Sequence, residues 1–177
     1  MTQSLRAGAR PWLAAMTLAL LASNAHAQGD RPLWNAVSSG VYPMVGLGEL
    51  ALLTDGHQGR KAAWQGLEAL SVTVAGTEGL KFAVGEKRPR SNDHDSFPSE
   101  HAAVSFAMAE VIHLYDPRYA PLAFGAAALI SYSRVRLDQH YWQDVVAGAA
   151  LGYVSAHFLA YHHVSLTPRS IAYSTTF

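Results

Sequence analysis

Three short patterns of reactive and charged side chains lie between residues 81 and 144. They are Lys81-x6-Arg88-Pro89, Pro98-Ser99-Glu100-His101, and Ser133-Arg134-x5-His140-x3-Asp144. Taken singly, each has an ordinary structural explanation: a solvated helix face, a capped helix start, and a pair one helical turn apart. Taken together, they supply what phosphoryl transfer requires, namely positive charge around three phosphate oxygens, a nucleophile and an acid.

The candidate phosphate-binding groups are three cationic side chains and the residues of the second pattern. Arg88 and Arg134 can hold phosphate oxygens with paired donors, and Lys81 adds a more mobile point charge. Ser99 contributes a hydroxyl group. A helix that begins at this residue would also point the backbone N–H groups of Ser99, Glu100 and the next residue at an anion.

His140 is the candidate nucleophile and His101 the candidate acid. If Asp144 accepts the Nδ1 proton of His140, the Nε2 lone pair is left to attack phosphorus. An ordinary imidazole pKa of about 6.5 would let His101 protonate the leaving oxygen and then take a proton from water. This chemistry needs no metal or cofactor, and a metal site would have only this His/Asp pair and no evident third ligand.

The composition predicts one domain with an apolar interior. Half of the 177 residues are apolar and 15% are charged, which indicates largely buried helices or a membrane setting. The formal charge is zero, so nothing in the overall balance favours a nucleic acid as partner. The chain has no cysteine, which excludes disulfides and thiolate metal sites.

Residues 1–27 have the three parts of a secretory signal. Arg6 and Arg10 precede an apolar run from 12 to 22, and Ala25 and Ala27 precede a cleavage site before Gln28. We therefore predict export to the periplasm. If the segment is not cleaved, it becomes an N-terminal membrane anchor.

Five further apolar segments predict an all-α bundle of five to six helices in a domain of residues 28–164. The segments cover about 34–54, 62–86, 99–114, 119–133 and 141–162. Thr54-Asp55-Gly56 closes the first, Pro89 stops the second, and Asp116-Pro117 links the third to the fourth. The polar tail, residues 165–177, has at most a short strand around 171–173.

The relation of these helices to a membrane stays open between two readings. Four carboxylates that interrupt the apolar runs count against simple spanning helices: Glu49, Glu68, Glu78 and Glu110. With the amino terminus inside, however, Arg60, Lys61 and Arg118 would lie on the cytoplasmic side, as integral membrane proteins prefer. In both cases the loop after Pro89 and the stretch 133–140 face away from the cytoplasm.

The three patterns resemble the signature of the type 2 phosphatidic acid phosphatase and vanadium haloperoxidase superfamily. That signature is Lys-x6-Arg-Pro, Pro-Ser-Gly-His and Ser-Arg-x5-His-x3-Asp, and the resemblance is close over residues 81–152. It implies a helical bundle with the active site between loops at one end. It also implies that Lys81, Arg88, Ser99 and Arg134 bind phosphate, while His101, His140 and Asp144 act as acid, nucleophile and orienting residue.

Glu100 is the departure, since the family usually has glycine at this position. Its backbone N–H can still donate to phosphate, but its side chain places a negative charge near an anion site. We expect the side chain to point away. If it does not, phosphate affinity should fall and substrate choice should shift.

The favoured function is hydrolysis of a phosphate monoester or diphosphate, with a lipid phosphate preferred because the chain is apolar and exported. Three alternatives stay open: a soluble periplasmic acid phosphatase for small esters, a vanadate-dependent haloperoxidase, and a non-catalytic protein with a decayed site. Vanadate is expected to inhibit. The loop residues Asp93, His94 and Asp95 are interpreted as a solvated loop.

Overall fold

The computed structural model describes residues 30–162, 165–167 and 170–172, so the predicted signal segment lies outside the described residues. Its elements, in chain order, are α1 (Arg31–Ser39), α2 (Val41–Thr54), α3 (Gly56–Val84), α4 (Glu100–Tyr115), a 3-10 turn (Pro117–Tyr119), α5 (Ala120–Arg136), α6 (Trp142–His162), β1 (Ser165–Thr167) and β2 (Ser170–Ala172). The two short strands pair antiparallel. The predicted all-α bundle is confirmed.

The helix boundaries follow the predicted punctuation with one exception. Helix α2 ends at Thr54, and Asp116 accepts a hydrogen bond from the backbone N–H of Arg118 at the turn between α4 and α5. The prediction that Pro89 stops α3 is wrong, because α3 already ends at Val84. Gly85 follows with a left-handed φ of 59°, and its N–H donates to a carbonyl of the last turn. Arg88 therefore lies in a loop.

Helix α4 is the centre of the bundle and packs against α2, α3, α5 and α6. Four of its nine buried residues are alanine, which lets neighbouring helices approach closely. Two glycines of α6 bring it nearest: a Cβ at Gly148 would collide with the carbonyl oxygen of Ser99, and one at Gly152 with that of Ala103. These contacts fix the start of α4 against the start of α6.

The outer surface of the bundle carries many exposed apolar side chains. Phe82 is 94% exposed, and Tyr42, Trp64, Val146 and Val154 are also exposed. Within the described residues, one helical stretch of 24 residues, Arg31–Thr54, is long and apolar enough to cross a membrane on length and composition alone. An exposed apolar surface of this kind is typical of a protein that contacts a membrane or another protein.

Candidate active site

All eight predicted site residues lie at one end of the bundle, where α3 and α5 end and α4 and α6 begin. They are Lys81, Arg88, Ser99, Glu100, His101, Arg134, His140 and Asp144. A backbone hydrogen bond of 2.9 Å from the N–H of Ser99 to the carbonyl of Asp144 joins the two helix starts. Four separate segments thus contribute to one site.

His140 is buried, with 3% of its side chain exposed, and its orientation is fixed by a main-chain group. Its Nδ1 lies 2.8 Å from the carbonyl oxygen of Ser96. A carbonyl can only accept, so Nδ1 carries the proton and Nε2 keeps its lone pair. The prediction that Asp144 accepts this proton is wrong, since its Oδ2 is 3.5 Å from Nδ1 while the carbonyl is nearer.

Asp144 is fully buried and organises the loop that holds His140. Its Oδ2 accepts from the hydroxyl of Ser96 at 2.5 Å and from the backbone N–H of Tyr141 at 2.9 Å. The carboxylate therefore fixes the residue whose carbonyl orients the imidazole. Ser96 was not predicted, because a contribution made through a main-chain carbonyl leaves no signal in residue type.

Both imidazoles are held neutral by their surroundings. Burial lowers the pKa of His140 well below its usual value, and the positive charges of Arg134 and Arg88 lower it further. Burial, followed by the charges of Arg134 and His140, lowers the pKa of His101 to about 4. The His101 ring also lies edge-on to Tyr42, with ring centroids 6.3 Å apart. Neutral His140 has the lone pair that a nucleophile requires.

Arg134 and Ser99 each place in the site a buried donor group without a partner in the described part of the chain. One guanidinium nitrogen of Arg134, Nη1, donates to the hydroxyl of Ser38 at 2.8 Å. Its Nε and the hydroxyl of Ser99 are buried without a hydrogen-bond partner among the described residues. Burial lowers the pKa of Arg134 to about 10, so it stays charged at neutral pH. Unsatisfied buried donors cost about 1–3 kcal/mol each, which an anion could offset.

Arg88 is held by the loop that follows it. Its Nε and Nη2 donate to the two carboxylate oxygens of Asp95 at 2.6 and 2.9 Å, and its Nη1 donates to Gln139 at 3.2 Å. The hydrogen bonds from Arg88 lower the pKa of Asp95. The interpretation of Asp95 as part of a merely solvated loop is wrong. Its spacing of seven residues from Arg88 within one short loop was the available signal.

Lys81 is paired with two carboxylates. Only 10% of its side chain is exposed, and Nζ lies 2.6 Å from Oε1 of Glu78 and 2.9 Å from Oε2 of Glu100. The expectation that Glu100 points away from the site is wrong. Its side chain reaches Lys81, a predicted phosphate-binding group, because a carboxylate is attracted to the largely buried ammonium.

A cavity of about 340 Å³ opens beside the site between α2 and α4. It is lined by Val41, Tyr42, Val45, Glu100, His101 and Val104. Its wall is therefore apolar apart from the Tyr42 hydroxyl and the two residues at the start of α4. The volume lies in the range of small-ligand pockets.

Comparison with known proteins places these residues in a family. Residues 62–167, more than half of the chain, match the family model described as PAP2 superfamily. Over 115 residues the chain is 30% identical to the lipid A 1-phosphatase of Porphyromonas gingivalis, covering 60% of this chain and 26% of that protein. Over 65 residues it is 37% identical to the bacitracin transport permease protein BcrC of Bacillus licheniformis, covering 37% of this chain and 32% of that protein. The matched part spans between a quarter and a third of these curated relatives.

Two solved structures share the fold. LpxE from Aquifex aeolicus superposes with a TM-score of 0.64 at 21% identity, covering 81% of this chain and 92% of that one. A transmembrane PAP2 type phosphatidylglycerolphosphate phosphatase from Bacillus subtilis gives a TM-score of 0.59 at 18% identity, covering 87% and 86%. At these identities the likeness is one of fold.

Proposed function

Since the chain belongs to the PAP2 superfamily, we propose that it is a phosphoric ester hydrolase that works through a phosphohistidine on His140. The observation that carries this proposal is the state of that imidazole. It is buried and neutral, its Nδ1 proton is donated to the Ser96 carbonyl, and it lies among Arg88, Arg134 and His101. A fixed lone pair among cations suits attack on a phosphate group.

In the first step, the Nε2 lone pair of His140 forms a bond to phosphorus as the ester P–O bond breaks. The bond electrons leave with the alcohol oxygen, which takes a proton from the imidazolium form of His101 and leaves that residue neutral. Arg88, Arg134 and Lys81 balance the charge of the equatorial oxygens, together with the hydroxyl and backbone N–H of Ser99. Burial, and after it the charges of Arg134 and His140, hold the pKa of His101 low. A bound phosphate dianion would offset the cationic part of this shift and so bring His101 closer to its protonated form.

In the second step, His101 takes a proton from water while the water oxygen attacks phosphorus. The P–N bond breaks and its electrons return to Nε2 of His140, which restores the neutral imidazole and releases phosphate. Asp144 acts as a positioning residue throughout, since its carboxylate fixes Ser96 and the backbone of Tyr141. None of these steps requires a metal.

A lipid phosphate, monoester or diphosphate, is the proposed substrate class. The names of two similar proteins, a lipid A 1-phosphatase and a phosphatidylglycerolphosphate phosphatase, support a lipid. So do the exposed apolar exterior and the apolar cavity beside His101. Neither of these apolar surfaces is needed to bind a water-soluble phosphate ester.

We propose an exported, membrane-associated protein with its active site facing away from the cytoplasm. Arg60 and Lys61 at the start of α3, and Arg118 after α4, lie at the end of the bundle opposite the site. Positive charge favours the cytoplasmic side of a membrane, which supports this orientation. Protease accessibility of the loop 85–99 in intact cells and in spheroplasts would test it.

Two measurements test the mechanism directly. Wild type should release phosphate from dispersed lipid phosphates faster than from p-nitrophenyl phosphate; the reverse order would favour a soluble acid phosphatase. His101→Ala should still form phosphoenzyme from p-nitrophenyl phosphate, because this leaving group needs no proton. The phosphoenzyme should then be hydrolysed slowly. An acid-labile, base-stable phosphate adduct should therefore accumulate in His101→Ala and be absent from His140→Ala. Adduct formation in His140→Ala would contradict the proposal.

A further inference from the structure

Glu100 places a carboxylate where the family signature has none. Its Oε2 lies 2.9 Å from Lys81 Nζ, and its side chain is 40% exposed. Lys81 is its only hydrogen-bond partner among the described residues. A carboxylate has about four lone-pair sites, so Glu100 can accept further hydrogen bonds.

Glu100 also lines the cavity between α2 and α4 that His101 lines. In the proposed function, His101 meets the leaving oxygen, so the leaving alcohol lies in this cavity and its first carbon atoms lie beside Glu100. The rest of the wall, including Val41, Val45 and Val104, suits hydrocarbon. This inference therefore rests on the proposed function, and it concerns the leaving group rather than the phosphate.

A carboxylate beside the leaving alcohol discriminates between alcohols by their donors. An alcohol that has only hydrocarbon or ester oxygens next to the phosphoester would displace water from Glu100 without donating a hydrogen bond in its place. An O–H or N–H on the neighbouring carbon would donate to it. Sites that hydrogen-bond a substrate donor reject analogues without that donor strongly.

We propose that Glu100 is a specificity-determining residue that selects leaving groups with an O–H or N–H donor next to the phosphoester. An amino-sugar 1-phosphate of a glycolipid has such a donor on the adjacent ring carbon. A diacylglycerol phosphate has only ester oxygens there. The preferred substrate is therefore a lipid phosphate whose leaving alcohol carries such a donor, and the amino-sugar 1-phosphate represents this class in the test.

Glu78 separates this role from a purely electrostatic one. It also binds Lys81, at 2.6 Å, but it lies on α3 and does not line the cavity. Removing either carboxylate relieves Lys81 of a negative charge and should strengthen phosphate binding for every substrate. Only removal of Glu100 should change the choice between leaving groups.

The test compares kcat/KM for an amino-sugar 1-phosphate glycolipid and for phosphatidic acid, both at equal mole fraction in the same detergent micelles. Wild type should prefer the glycolipid. Glu100→Gly should reduce the ratio by about tenfold or more, and Glu100→Gln, which keeps one uncharged acceptor oxygen, should reduce it less. Glu78→Gln should change both rates alike and leave the ratio within about twofold of wild type.

The outcomes that contradict the inference are distinct from failure of the proposed function. Turnover of both lipids with a ratio unchanged in both Glu100 variants would overturn this inference alone. An equal change of ratio in Glu78→Gln would do the same, because it would assign the effect to Lys81. Release of phosphate from neither lipid by wild type would overturn the proposed function and this inference together. Thermal unfolding of each variant verifies that it is folded.

Discussion

Two regions of this bundle place a buried carboxylate against imidazole rings, yet only one has the features of a catalytic centre. At the site, Asp144 lies near His140, and two arginines and the start of α4 surround the pair. Further along α4, Glu110 is fully buried and accepts from Nδ1 of His113 at 2.9 Å and from Nδ1 of His157 at 2.8 Å.

The surroundings of the two pairs differ in charge. The ring of His113 lies edge-on to Phe124, and that of His157 stacks on Tyr153. The Glu110 cluster, defined as Glu110, His113 and His157, therefore ties α4 to α6 among aromatic rings. The contrast teaches that a carboxylate–imidazole pair becomes a candidate active site through the cations and helix starts around it.

Removal of the imidazole at each region should give the largest difference. His140→Ala should reduce kcat for phosphate release by about 10⁴-fold or more, because the nucleophile is lost. His157→Ala, which removes an imidazole of similar size from the Glu110 cluster, should change kcat by less than about twofold. Steady-state rates on one lipid phosphate check this, and comparable losses in both variants would contradict the functional contrast.

Neutralising each carboxylate should separate positioning from stability. Asp144→Asn should reduce kcat by about 10²-fold, since an amide holds the Ser96 hydroxyl and the Tyr141 N–H less well and Ser96 orients His140. Glu110→Gln should keep kcat near wild type, because the residues that hydrogen-bond Glu110, His113 and His157, lie outside the site. The kcat values of the two variants are measured side by side. A larger loss of kcat in Glu110→Gln than in Asp144→Asn would contradict this contrast.

Stability should show the opposite order for Glu110. Glu110→Gln turns one acceptor into an N–H₂ group facing an imidazole N–H, so the free energy of unfolding should fall by about 1–3 kcal/mol. Chemical denaturation of wild type and Glu110→Gln measures this difference. An unchanged midpoint would show that the cluster does not stabilise the contact between α4 and α6.

The pH dependence should distinguish the site from an ordinary surface histidine. Protonation of His140 abolishes its lone pair, and its lowered pKa means that this occurs only well below pH 6.5. After correction for substrate ionisation, kcat/KM for p-nitrophenyl phosphate, whose leaving group needs no proton from His101, should therefore change little from pH 7 to 6 and fall as the pH approaches about 4. An acid limb centred on about 6.5 would contradict the buried, cationic surroundings of the imidazole.

Chelation of metal ions should have the smallest effect. EDTA should leave phosphate release unchanged to within about twofold, while vanadate should inhibit by taking the place of phosphate among Arg88, Arg134 and His140. Inhibition by vanadate should weaken in Arg134→Ala. Loss of activity in EDTA that added metal restores would contradict a mechanism carried by the side chains alone.

The fold was largely predictable because apolar periodicity and turn residues are local properties of the chain. The first predicted segment corresponds to α1 and α2 together, and the other four correspond to α3, α4, α5 and α6. Thr54-Asp55-Gly56 ends α2 as expected. The end of α3 was wrong by several residues because Gly85 ends the helix before the proline does. When a glycine and a proline lie within a few residues of each other, the local sequence does not determine which of them ends the helix.

The position of the eight site residues at one end of the bundle was predictable, but their hydrogen-bond partners were not. Each of the eight residues comes from a pattern of fixed spacing, which sequence records directly. The acceptor for His140 is a main-chain oxygen of Ser96, and the partners of Arg88 and Lys81 are Asp95 and Glu100. Such pairings depend on how a loop folds back, and side-chain type alone does not determine that geometry.

The glycine contacts between α4 and α6 decide which walls of the site can move. With backbone against backbone at Gly148 and Gly152, the helix starts that carry Ser99 and Asp144 cannot slide past each other without a clash. They form a rigid pair that keeps the proposed acid, His101, and the proposed nucleophile, His140, at a constant separation. Any adjustment to the proposed lipid substrate must then come from α2 and from the loop 85–99, which form the opposite walls of the site.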